Sequence, residues 1–355
     1  MKSSFIQPLG PPWARIIIVA FNSGDVLQNC IDHLVLQTER RFEVVIVDNQ
    51  STDNCVTNLR LPDDRFSVIV SEDNLGFAGG SNLGAKNAGT DWLITLNPDV
   101  FVTPTWLQRL KEAALEHPAF AMLSPVLVRQ DDHNVLDGCG DVISIFGICW
   151  RGGSGFSLEN APKENCQVMS PCGASAAYRR VVFEAHGGFD SSFFCYMEDV
   201  DLALRLSKSG EKCLLIPDSI AYHIGSSTLG EGHPFIAYLS TKNSIAMIVK
   251  TYPMLNAFFA FPSYILIRIW NICRNPKQKS NLSVIKGLII GVLLAPYSAG
   301  NRIWHKLTQC RWKTVFLLPM ETRLSALKNC DIWAWKLNSN KIDPSQLTQN
   351  EQYNV

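Results

Sequence analysis

The chain has 355 residues, 46% of them hydrophobic and 18% charged, the composition of a folded globular protein with length for one large domain and an appendage or for two ordinary domains. Its zero net charge is a cancellation: residues 1–231 carry 28 acidic and 17 basic side chains, residues 232–320 carry 11 basic and no acidic ones, and the last 35 carry four of each. Eleven cysteines without a C-x-x-C pair exclude a metal or redox framework, and their odd number argues against a closed set of disulfides and for a reducing cytoplasm.

The first apolar run, IIIVAF at 16–21, is only six residues long and lies between the turn-forming PLGPPW and the polar NSGD. That is too short for a secretory signal, and its β-branched content suits a central parallel strand. A helix is expected from Asp25 to Gln37, with Leu27, Cys30, Ile31, Leu34 and Val35 on one stripe. FEVVIVD then forms a second strand, and the strand–helix–strand rhythm implies a βαβ unit whose ligand site lies beyond the carboxyl ends of its strands. Asp48 and Asn49 stand at such an end, where side chains with donors and acceptors can recognise a nucleobase or ribose.

A third strand, FSVIVS at 66–71, leads into NLGFAGGSNLGAKNAG. Glycines at 76, 79 and 80 would let a backbone approach a ligand, with a helix start behind them for phosphate. The spacing is neither a Walker loop nor a G-x-G-x-x-G fingerprint. Next, Trp92 to Leu96 forms a buried strand ending in Asn97-Pro98-Asp99, with a helix from near Pro104. An aspartate leaving that strand end is placed to share Mg²⁺ or Mn²⁺ with substrate phosphates.

In CYMEDVDLALRLSKSGEKCLLIPDSIAYHIG, Glu198, Asp199 and Asp201 open an amphipathic helix, and His223 follows an apolar run. Acidic residues in a first turn are favoured by exposed N–H groups alone, and Asp201 with Arg205 has the i,i+4 spacing of a surface ion pair.

Six motifs give this pattern a family resemblance: IIIVAFNSGDVLQNCIDHLVLQT, VVIVDNQSTDN, NLGFAGGSNLGAKNAG, LITLNPDVFV, SPCGASAAYRRVVFEAHGGFDSSFFCYMEDVDLALRLSKSG and IPDSIAYHIGSST. In this order, over about residues 14–228, they resemble the family 2 inverting glycosyltransferases and within them the bacterial rhamnosyltransferase-like branch. The resemblance implies an α/β GT-A fold in which a Rossmann-like half binds a nucleoside diphosphate sugar and a mixed half binds the acceptor. It assigns nucleotide-sugar binding to Ala20, Phe21, Asn22, Asp48, Asn49, Gly76, Gly79, Gly80, Asn82, Asn97 and Asp99. Asn97-Pro98-Asp99 takes the place of the D-x-D motif, so Asp99 and His223 become the ligands of Mg²⁺ or Mn²⁺. Asp199 takes the place of the catalytic base. Glu198, Cys172 and Gly173 fall at the acceptor, Cys172 as a small packed residue and not a nucleophile. Phe193 to Tyr196 form an aromatic-rich loop that either stacks on a sugar or packs in the core.

After Gly232 the pattern turns to long helices. Met254 to Ile267 and Gly287 to Asn301 are uncharged but shorter than the roughly 20 residues a span requires. With Lys250, Arg268, Arg274, Lys277, Lys279 and Lys286 beside them, they are expected to lie on an anionic membrane surface; nucleic acid is disfavoured by the apolar content. A buried helical subdomain or a dimer contact is the alternative. The expected division is a catalytic domain at 14–231, a basic helical region at 232–335 and a polar, disordered tail at 336–355.

The combined expectation is a metal-dependent inverting glycosyltransferase, peripheral on the cytoplasmic face of the membrane, moving L-rhamnose from dTDP-L-rhamnose to a lipid-linked saccharide. Donors such as UDP-galactose, UDP-galactofuranose or UDP-glucose, and a non-catalytic sugar-nucleotide or lipid-binding scaffold, remain the alternatives. A nucleotidyltransferase is disfavoured because AFNSGDV is neither glycine-rich nor basic.

Overall fold

The computed structural model describes residues 10–225 and 232–308, with side chains to residue 300. The end of the helical region and the tail expected from residue 336 lie outside the described residues. Strand β1 (Ala14–Ala20) is buried on both faces, as its apolar run requires. Helix α1 (Val26–Val35) turns Leu27, Cys30, Ile31 and Leu34 inward and returns the chain to β2 (Phe42–Asp48), parallel to β1 with Ala20 opposite Asp48. Strand β3 (Phe66–Val70) closes this edge, also parallel.

The glycine-rich stretch is not a loop but helix α2 (Gly76–Ala85). Glycine is unfavourable within a helix, and the compensation is packing. A Cβ on Gly80 would lie 2.7 Å from Val19 Cγ1, and one on Gly84 2.5 Å from Ile17 Cγ2, so α2 rests directly on β1. Gly79 meets Leu75 of its own helix start, while Gly76, at φ +67°, lies against the Phe194 carbonyl. The expected role of Gly76, Gly79 and Gly80, letting backbone approach a ligand, gives way to close contact within the protein.

Strand β4 (Trp92–Leu96) is wholly buried and pairs in parallel with the other side of β1. The chain therefore switches sides between β1 and β4, which opens a crevice outside their carboxyl ends. There follow β5 (Val100–Val102), α3 (Trp106–Glu116), β6 (Met122–Arg129), β7 (Leu136–Gly138), β8 (Asp141–Ile143), β9 (Cys149–Arg151), β10 (Cys166–Val168), β11 (Ser175–Arg179), α4 (Arg180–Ala185), α5 (Glu198–Lys208) and β12 (Cys213–His223). The sheet runs β10-β12-β6-β11-β4-β1-β2-β3, with β5 attached to β12 and β7 to β6, while β8 and β9 pair apart. Because β11 is antiparallel to both β4 and β6, a parallel half meets a mixed half along β4.

Three helices follow: α6 (Pro234–Thr251), α7 (Met254–Arg274) and α8 (Asn281–Thr308). Helix α6 shares a core with α5 and the preceding loop, through Ile245, Met247, Ile248, Val200, Leu204 and Phe193. Lys250, expected to reach lipid, is buried and ion-paired with Asp190 and with Asp201, at 3.2 Å from the latter. Arg268 also turns inward, donating to Thr241 at 2.8 Å. Helix α8 packs closely on α6 through Gly287 and Gly291, where an added Cβ would lie 2.8 Å from Tyr238 O and 2.8 Å from Ile245 Cδ1. Its segment Asn281–Gly300 has a mean hydropathy of 1.8 and the length of a membrane span, longer than the uncharged run alone suggested because it takes in Lys286.

Asp201 is fully buried and bonded to Arg205 at 2.8 Å as well as to Lys250. Removing one partner of a buried ion pair leaves an uncompensated charge. Lys250→Met is expected to lower the unfolding free energy by about 3 kcal/mol, and Lys277→Met by less than about 0.5 kcal/mol, both measured by urea denaturation.

Candidate active site

Three strand ends define the crevice. At the end of β1, Ala20 is buried and its carbonyl accepts from Asn49 N at 2.8 Å; Phe21 is exposed. Asn22 adopts φ +48°, and its side-chain oxygen accepts from Thr52 N at 2.7 Å, tying the β1 and β2 ends together. At the end of β2, Asp48 accepts from Ser51 N at 2.9 Å. Asn49, expected to meet a base or ribose, is instead buried. Its amide donates to Asn74 Oδ1 and Gly76 O, and its oxygen accepts from Leu75 N, at 2.9, 3.2 and 2.8 Å. It therefore shapes the crevice by holding the start of α2. Asn82 is likewise spent within the protein, exchanging bonds of 2.7 and 2.9 Å with the Phe189 backbone.

At the end of β4, Asn97 N donates to Ala174 O at 2.9 Å and Asn97 O accepts from Val100 N at 3.1 Å, so Asn97-Pro98-Asp99 forms a turn pinned to the strand carrying the Gly173 segment. The antiparallel register of β5 with β12 sets His223 opposite Val100, and Ile224 N donates to Asp99 O at 3.1 Å. Two residues far apart in sequence thereby meet: His223 Nε2 lies 3.5 Å from Asp99 Oδ1, both buried. The other ring nitrogen, Nδ1, bonds Asp137 Oδ2 at 2.7 Å, and Arg151 donates to that same oxygen. Burial lowers the His223 pKa, but Asp137 and Asp99 outweigh it and leave it above the ordinary value.

Among the described residues no group of three or more His, Cys, Asp or Glu side chains is arranged to hold a metal. Asp99 and His223 nevertheless supply a hard oxygen and an imidazole nitrogen facing one another. Such a pair fits a divalent cation whose remaining ligands come from substrate phosphate and water. Asp137 lies behind the pair, bonded to His223 Nδ1.

Asp199 and Glu198 open α5 and have unlike surroundings. Asp199 is half-buried, and its carboxylate accepts from Gly173 N and Val200 N, both at 2.8 Å. A Cβ on Gly173 would come within 3.0 Å of Asp199 Oδ2, so this approach requires glycine. Glu198 is buried, and its Oε2 has no hydrogen-bond partner. Burial raises both pKa values; the charge of Asp199 raises Glu198 further, while the two N–H groups favour the Asp199 anion. A proton shared by such a pair resides on Glu198, leaving Asp199 as the ionised member. Cys172 is buried and its thiol pushed up by that burial, consistent with a packed residue and not a nucleophile.

The chain reaches Glu198 through an unusual path, since Phe194, Tyr196 and Met197 have φ values of +64°, +69° and +75°. Such conformations persist only where surroundings enforce them. Here the buried amide of Asn243, on α6, contacts the carbonyls of Phe193, Cys195 and Tyr196 at 2.9, 2.9 and 2.8 Å. Phe193 is core, under Lys250 at 5.0 Å, and so is not available to stack on a sugar. Sequence reasoning missed Asp137, Arg151, the buried Asp141 and Asn243. The first three lie on three-residue strands too short for periodicity, and a lone Asn in a helix carries no signal.

The family model for glycosyl transferase family 2 matches residues 15–187. An N-acetylglucosaminyl-diphospho-decaprenol L-rhamnosyltransferase of Mycobacterium tuberculosis is 31% identical over 238 residues, which is 60% of this chain and 76% of the relative. The rhamnosyltransferase WbbL of Escherichia coli K12 is 26% identical over 223 residues, 59% of this chain and 82% of its own. Among solved structures, GalNAc-T7 with UDP, GalNAc and Mn²⁺ superposes with a TM-score of 0.57 at 15% identity, over 89% of this chain and 60% of that one. The shared architecture is the GT-A fold.

Glu198 offers a test independent of turnover. Its folded pKa lies above 4.5, its ordinary value. The stability it contributes is therefore full below pH 4.5 and is lost as pH rises toward the folded pKa. Glu198→Gln should flatten the fall of unfolding free energy as pH rises above 4.5, measured by denaturant titration.

Proposed function

This chain belongs to glycosyl transferase family 2, and from that premise we propose that it is a metal-dependent inverting enzyme moving L-rhamnose from dTDP-L-rhamnose to a lipid-linked saccharide in surface polysaccharide synthesis. The observation that carries the chemistry is the asymmetric pair at the start of α5, in which Asp199 accepts two backbone N–H bonds while the Glu198 Oε2 has no partner. The relative from M. tuberculosis supports the substrate class, because its name specifies rhamnosyl transfer to an N-acetylglucosaminyl-diphospho-lipid.

In this reading the strand ends at Ala20, Asn22 and Asp48 receive the nucleotide. Asp99 and His223 would hold Mg²⁺ or Mn²⁺, whose chemistry is to neutralise charge on the diphosphate. Asp199 accepts the proton of the acceptor hydroxyl as that oxygen bonds to the anomeric carbon from the face opposite the diphosphate. The bond from that carbon to the phosphate oxygen breaks in the same displacement, so configuration inverts and the nucleoside diphosphate leaves. Glu198, carrying a proton, is a donor to an acceptor oxygen. The catalytic groups fall within residues 14–231.

Asp199→Asn should lower kcat by about 10²- to 10⁴-fold while the dissociation constant for dTDP-L-rhamnose stays within about twofold. Transfer is followed with labelled donor and a GlcNAc-diphospho-lipid acceptor, and binding by calorimetry. Unchanged turnover would remove Asp199 from the base position, and no turnover by the wild type with any labelled donor would favour the scaffold.

We also propose that α7 and α8 seat the enzyme on the cytoplasmic membrane face. Phe258, Phe259, Leu266 and Trp270 of α7 and Leu282, Leu293 and Tyr297 of α8 are exposed, while Arg274 ends α7 and Lys277 and Lys279 follow it before α8. Apolar exposure beside positive charge suits an anionic lipid surface. Cosedimentation with anionic vesicles should exceed that with zwitterionic ones, decline with salt, and fall at least about tenfold in Phe258→Asp/Trp270→Asp.

A further inference from the structure

Asp137 is a largely buried carboxylate that the reaction scheme above leaves without a part. It sits at an irregularity of the sheet. Leu127 of β6 faces Gly138, but the next residue, Val128, faces Leu136, so Asp137 is an extra residue of β7. A bulge of this kind re-aims a side chain, and here Asp137 meets the last residue of β12. Its Oδ2 accepts from His223 Nδ1 at 2.7 Å. Arg151, at the end of β9, donates to the same oxygen. The adjacent Gly138 makes room for that arginine, since a Cβ there would lie 3.1 Å from Arg151 Cβ.

We propose that Asp137 is a positioning residue: by holding the Nδ1 proton of His223 it fixes the ring tautomer and turns the Nε2 lone pair toward Asp99. The inference rests on the reading that Asp99 and His223 bind a divalent cation. An imidazole can ligate only through a nitrogen that carries no proton. With Nδ1 protonated and bonded to a carboxylate, Nε2 is the nitrogen left to give up its proton to a binding cation, and the ring is both oriented and made more basic. Arg151 completes the arrangement by keeping Asp137 in the ionised, accepting form and restraining its rotation. The bulge, the glycine and the arginine thus act on one oxygen atom, which in turn orients a ligand on another strand.

The test uses the full chain and Mn²⁺ as the probe, with and without dTDP, read by calorimetry and by the electron paramagnetic resonance of free Mn²⁺. Asp137→Asn should weaken Mn²⁺ binding about 10-fold and Asp137→Ala up to about 100-fold. In EDTA, at a pH high enough for the ring to be neutral, ¹⁵N-histidine spectra of the wild type should report His223 as the Nδ1–H tautomer, a signature lost in Asp137→Ala. The near-isosteric Asn variant keeps the test decisive should the Ala variant fail to fold. Wild-type Mn²⁺ affinity in both variants, or an Nε2–H tautomer in the wild type, would overturn the positioning role while leaving the metal reading intact. A wild type that binds no Mn²⁺ even with dTDP would remove the metal reading and this inference together.

Discussion

Pairing between β5 and β12 is the constraint on which the site depends. Three register pairs bring His223 to Val100 and thereby next to Asp99, and Thr103 N and Oγ1 both bond Ile220 O, at 3.2 and 2.9 Å, to extend the zipper. Closing a loop of about 120 residues costs on the order of 4 kcal/mol of chain entropy, more than so short a ladder can be expected to offset. The contact therefore forms only because β12 is already paired along its length with β6, and β6 with β11 beside β4. The proposed metal pair inherits its geometry from the whole mixed sheet.

How much of this was legible beforehand follows from where each residue lies. Asp99 and Asp48 could be found because they end or follow apolar strands whose length and β-branched content are plain in the sequence, and ligands gather beyond such ends. The strands at 14–20, 42–48 and 92–96 needed only their burial pattern. The glycines of GFAGGSNLGA suggest backbone free to approach a ligand ahead of a helix start, yet the helix already begins at Gly76. Helix propensity is a weak prior, overridden here because only glycine lets α2 approach Val19 and Ile17. The local charge balance puts Lys250 in a lipid-facing set because it cannot tell an exposed lysine from one paired with acids 49 and 60 residues away.

The carboxylates of α5 illustrate the same limit at finer scale. Adjacent acidic residues are equivalent on the page, and composition offers no reason for them to titrate differently. The distinction arises from the Gly173 backbone, which reaches Asp199 and not Glu198, and from the left-handed turn through Tyr196 and Met197 that sets the helix start. Backbone conformations of this sort cost on the order of 1–3 kcal/mol each. The shared core of α5 and α6 and the amide of Asn243 hold them in place.

That last contact changes what counts as a transferable unit. The segment matched by the family model ends at residue 187, before the carboxylate pair, and the side chain restraining the loop before that pair lies further on, in α6. A chimaera that joined residues up to about 231 to a relative's C-terminal helices would keep every residue proposed for the chemistry. It would lose the amide that shapes the backbone leading to them. The smallest exchangeable block is thus the sheet together with α6, and its natural junction with the helices that follow lies after Tyr252.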